Sequence, residues 1–125
     1  MNTQLPQTAV VRPYQVRLAI SDTDVKTVIQ AALANDDKVN LNPMKMVFLV
    51  VTDTMPAEQP LKPTIVIADS HQQIDSLERS LKRADIRNVV VLTCGDAIKA
   101  IESKAHYYNR HVPQRTPQKQ VAMAA

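Results

Sequence analysis

From Tyr14 the chain alternates: Tyr14, Val16, Leu18 and Ile20 fall on one side, Gln15 and Arg17 on the other. A period of two predicts a strand with one buried and one wet face. The rhythm then changes. Ser21-Asp22-Thr23-Asp24 offers Ser21 or Asp22 as an N-cap, with Asp24 in a capping-box-like position three after Ser21. Val25, Val28, Ile29, Ala32 and Leu33 recur at helical spacing, so an amphipathic helix follows. The polar stretch from Asn35 to Pro43 reads as its end.

Three short, almost wholly apolar runs come next: Met46 to Val51, Ile65 to Ala68, and Val89 to Leu92. Strands apolar on both faces are what a sheet covered by helices on both sides produces. Between the last two runs a helix is predicted, with Ile74, Leu77, Leu81 and Ala84 inward and Glu78, Arg79, Lys82 and Arg83 outward. A final helix follows Gly95, with Ala97, Ile98, Ile101, Ala105 and Tyr108 on one face. Residues 53–63, DTMPAEQPLKP, carry three prolines and no helical period, which marks a surface loop.

This order predicts a small three-layer α/β sandwich with a mostly parallel, four-stranded sheet. The alternative is a ferredoxin-like split β-α-β plan, which the long Pro-rich connection suits. Residues 10–108 are read as one domain, after a frayed stretch at 1–9 and before a disordered basic tail at 109–125.

Composition narrows the chemistry. The aromatic side chains are Phe48, Tyr14, Tyr107 and Tyr108, with no Trp, so the core must be aliphatic and base-stacking nucleic-acid modules are disfavoured. Cys94 stands alone, which rules out an intramolecular disulfide and a Cys-based zinc site; it reads as a packing residue. Gly95 is the single glycine, too few for a phosphate-cradling loop, and is expected at a turn needing positive φ. His71, His106 and His111 have no metal-site spacing. Neither a secretory signal nor a bilayer-length apolar run is visible, so a soluble cytoplasmic protein with no membrane partner is expected.

Two carboxylates stand at strand ends, where ligands of open α/β sheets collect: Asp53 and Asp69. On neighbouring parallel strands they could converge on Mg²⁺, which favours oxygen ligands. The competing reading is that Asp69 or Ser70 caps the following helix, since Ser70 and Gln73 have capping-box spacing. Otherwise no cofactor is implied.

The stretch IVIADSHQQIDSLERSLKRADIRNVVVLTCGDAIKAIE resembles the opening half of a response-regulator receiver domain, and VFLVVTDTMP resembles that family's phosphoacceptor strand. The resemblance implies Asp53 as phosphoacceptor and Asp69 as part of an acidic pocket. The order of the segments departs from the family, because the phosphoacceptor-like strand precedes the opening-like one. Met55-Pro56 also follows Asp53 one residue early.

The expected function is therefore a non-enzymatic regulatory or protein-interaction module, with a degenerate receiver as one form of it, bound to another protein or to a second copy. Glu78, Arg79, Lys82 and Arg83, with Tyr107 and Tyr108, are the expected contact residues. One alternative is a nucleic-acid-associated accessory protein using Lys104, Arg110, Arg115 and Lys119, which run to the end without an acidic residue. The other is a Mg²⁺-dependent phosphoacceptor at Asp53.

Overall fold

The computed structural model describes residues 11–41 and 46–111. Its elements run β1 (Tyr14–Ala19), α1 (Thr23–Leu33), β2 (Val39–Leu41), β3 (Leu49–Thr52), β4 (Thr64–Ala68), α2 (His71–Arg83), β5 (Val89–Thr93) and α3 (Cys94–His111). The strands form one sheet in the order β2-β1-β3-β4-β5. Every neighbouring pair is parallel. This is the flavodoxin-like arrangement of a doubly wound α/β fold, and it sets aside the split β-α-β alternative.

The sheet has five strands, not four. The unexpected one is β2, only Val39-Asn40-Leu41, which pairs with Tyr14, Gln15 and Val16. Three residues carry no readable period. Pairing with β1 makes them a strand, beginning with the Tyr14 N–H donating to the Lys38 carbonyl at 2.6 Å. At the other end α3 continues through His111, so residues 109–111 are helical rather than part of the tail. The stretch at 1–9 and the remainder of the tail, including Arg115 and Lys119, lie outside the described residues.

The two faces of the sheet are covered unequally. On one face α1 and α3 pack over Val16, Leu18, Leu49, Val51, Ile65 and Ile67 through Ile29, Leu33, Ala97, Ile101 and Ala105. On the other, α2 packs through Leu81, Ile74 and Leu77 on Val66, Ala68 and Val91. All of β4 is buried, as expected for a strand covered on both sides. By contrast, β1 buries Val16 and Leu18 and exposes Arg17 between them. The alternation legible in its sequence reports the missing layer: among the described residues no helix covers that face of β1 and β3. The parallel β3–β4 connection, which usually contains a helix, is here the Pro-rich segment 53–63, laid along the sheet.

The helix ends use little glycine. Asp22 caps α1, accepting from the N–H groups of Asp24 and Val25 at 2.9 and 3.3 Å. Ser70 occupies the N-cap of α2 without a side-chain cap bond. The expected Ser70–Gln73 capping box is not formed: the Gln73 Oε1 accepts the Asp69 N–H at 3.0 Å, one residue before the cap. The carboxyl end of α2 closes in a Schellman motif, with Ile86 N–H donating to Leu81 O and Asp85 N–H to Lys82 O. The left-handed residue there is Asp85 (φ 57°), and Asn88 (φ 64°) is a second. Gly95 is not at a positive φ. It lies inside the first turn of α3, correcting its expected role.

Candidate functional site

β1 and β3 are adjacent and parallel, with Ala19 opposite Thr52. Their carboxyl ends therefore bring Ser21 and Asp22 beside Asp53. The Asp53 carboxylate accepts the Ser21 N–H at 3.0 Å on Oδ1 and 3.2 Å on Oδ2. It accepts the Asp22 N–H at 2.9 Å on Oδ2. The Thr54 hydroxyl donates more weakly, at 3.5 Å. These bonds favour the charged form, so the Ser21 N–H above all holds the Asp53 carboxyl below the usual carboxylate range, with partial burial opposing it. Asp53 thus ties the end of β3 to the turn that starts α1, while Asp22 in that turn caps the helix.

Asp69 ends β4, the other neighbour of β3. It lines one cleft of ≈ 240 Å³ with Asp22 and Asp53, floored by Val25, Met55, Val66 and Leu77. Thr52 pairs with Val66, so Asp69 stands two residues beyond the level of Asp53, roughly 7 Å further along the strand direction. The carboxylates share a cleft, but among the described residues no group of three His, Cys, Asp or Glu side chains could hold a metal ion. The acidic corner that follows the opening strand is Ser21-Asp22. Asp69 instead stands between β4 and the N-cap of α2, in the second half of the sheet.

The other candidate residues are spread out. Glu78, Arg79, Lys82 and Arg83 are exposed along α2. Glu78 and Lys82 border a shallow cleft of ≈ 450 Å³ with Ile86 and Val89. Tyr107 and Tyr108 diverge: Tyr107 is 62% exposed, whereas the Tyr108 ring lies 5.6 Å from Tyr14 and 5.3 Å from Phe48. Lys104 and Arg110 are both exposed on α3. Six residues apart, they are turned roughly 120° from one another and form no single basic face. Cys94 is half-buried and packs against the larger core.

Two side-chain amide clamps were not anticipated. Gln59 donates to the Arg87 carbonyl and accepts the Arg87 N–H, both at 2.7 Å. This pins the Pro-rich segment to the loop before β5. Asn109 likewise accepts the Arg12 N–H at 3.0 Å and donates to its carbonyl at 3.2 Å, fastening the end of α3 to the start of β1. Each imitates one rung of a strand ladder. No local pattern marks an isolated Gln or Asn for this use, because the partner is chosen by the tertiary path.

No helix among the described residues is long and apolar enough to cross a membrane. No family model, curated protein or solved structure matches the chain.

Proposed function

We propose that the chain is a non-enzymatic protein-interaction module with receiver-like architecture, in which Asp53 is a structural residue rather than a phosphoacceptor. The observation that carries this reading is the use made of the carboxyl-end corner. Asp53 accepts the N–H groups of Ser21 and Asp22 at 2.9–3.2 Å. Asp22 itself caps α1. Phosphorylation would place a bulky, more highly charged group on oxygens already committed to the β1–α1 turn. Exposed apolar side chains support a binding role: Met46 is 78% exposed and Leu61 97%.

Incubation of the full chain with acetyl phosphate and Mg²⁺, read by intact-mass spectrometry, tests the reading. The expected result is no phosphoryl adduct. An adduct that forms on the wild type and is lost in Asp53→Asn would overturn it in favour of the phosphoacceptor.

A further inference from the structure

We infer that the face of β1 and β3 that no described helix covers is the docking site for an acidic amphipathic helix of a partner protein; this rests on the interaction-module reading and names the partner's chemistry. The Pro-rich segment does not cover the face fully. It leaves a groove of ≈ 460 Å³ floored by Ala19, Val50 and Thr52 and walled by Met55, Pro60 and Leu61. Leu61 is 97% exposed, an aliphatic side chain standing at the rim with almost no contact of its own. Burying an apolar side chain of this size is among the larger favourable terms open to an interface.

Three features select the occupant. The groove is floored by the face of paired strands: Arg17, Val50 and Thr64 lie in one row across β1, β3 and β4, and their neighbours share the sheet's hydrogen-bonding ladder. A guest finds no free strand edge there and must satisfy its own backbone, which an α-helix does. A helix with its side chains is about 10 Å across, the thickness of a layer such as the one α2 supplies over β4 and β5. Finally, among the described residues the charged ones lining the groove are Arg17 and Lys62, with no carboxylate beside them. Carboxylates flanking the apolar stripe of the guest would meet both. A second copy presenting the same face across a two-fold axis would instead oppose these cations with themselves.

The test uses ¹⁵N-labelled full chain and two synthetic helical peptides with the same leucine stripe, one flanked by Glu and one by Lys. The Glu-flanked peptide is expected to shift the amide signals of Ala19, Val50, Thr52 and Leu61, and the Lys-flanked one to bind roughly tenfold more weakly. Arg17→Glu combined with Lys62→Glu should reverse that preference, and Leu61→Asp should weaken both. Arg17 and Leu61 are exposed, and the variants' amide spectra report whether the fold is kept. The inference is overturned if neither peptide moves these signals at about 1 mM, if both bind equally, or if the groove signals of the free chain change on dilution, which marks a second copy as occupant. Binding centred on Phe48 and Tyr107 also overturns it while leaving the interaction-module reading intact; only phosphorylation of Asp53 removes that reading.

Discussion

Removing the Asp53 carboxylate should lower stability in a pH-dependent way. Its two shortest bonds, 3.0 Å to the Ser21 N–H and 2.9 Å to the Asp22 N–H, are charge-assisted and join β3 to the β1–α1 turn. Hydrogen bonds to charged groups contribute about 1.5–3 kcal/mol when shielded from water. Solvent reaches this carboxylate, so a net loss of about 1–2 kcal/mol for Asp53→Ala is the discounted figure. At this chain length that corresponds to a melting temperature lower by roughly 4–8 °C. Asp53→Asn should fall between, since its amide oxygen still accepts from the turn but without the charge. The pKa of Asp53 is lowered in the folded state, so its contribution is present above the unfolded carboxylate value of about 3.9. That contribution is lost as pH falls from there through the depressed folded value. Thermal unfolding followed by circular dichroism should therefore show a clear gap between wild type and Asp53→Ala at pH 7, shrinking below about pH 4. A gap under about 1 °C at pH 7, or one unchanged at pH 3, would refute the clamp.

Four further outcomes follow from packing and backbone geometry. Gly95→Ala should stabilise by about 0.5–1 kcal/mol in denaturant titration, because Gly95 is helical, has no positive φ and leaves open space for a Cβ. Asp85→Gly should also stabilise, by about 1 kcal/mol. It relieves a left-handed aspartate whose ion pair with Arg87 joins side chains that are both 82% exposed, and which therefore adds little. Gln59→Ala should raise amide exchange at Arg87 and cost about 1 kcal/mol, leaving the core unchanged. Ile101→Ala, at a side chain with 0% exposure between α3 and the sheet, should cost about 2–5 kcal/mol in denaturant titration, the more the less the cavity collapses.

Much of the local structure was determined by the sequence alone. The alternation from Tyr14 to Ile20 specified both the β1 strand and its wet face. The helical spacing of Ile29 with Leu33, and of Ala97 with Ile101 and Ala105, named residues that are buried, whereas Val28 and Ala32 of the same α1 stripe, and Ala84 of α2, are exposed. A cap at Ser21 or Asp22 was legible because an N-cap works through hydrogen bonds to residues two and three positions away, and Asp22 is the one that caps. Everything that depends on distant partners was decided only by the tertiary structure. Val39-Asn40-Leu41 becomes a strand through β1. Gln59 and Asn109 act across 28 and 97 residues. Asp53 finds the Ser21 and Asp22 N–H groups because parallel pairing sets the ends of β1 and β3 side by side. The same pairing sets Asp69 two strand positions beyond Asp53, at the far side of the cleft they share, while Asp53 ties β3 to the β1–α1 turn. Short-range hydrogen bonding and periodic burial leave their mark on neighbouring letters. Strand order and loop path do not, since they are selected by the burial and backbone pairing of the whole chain at once.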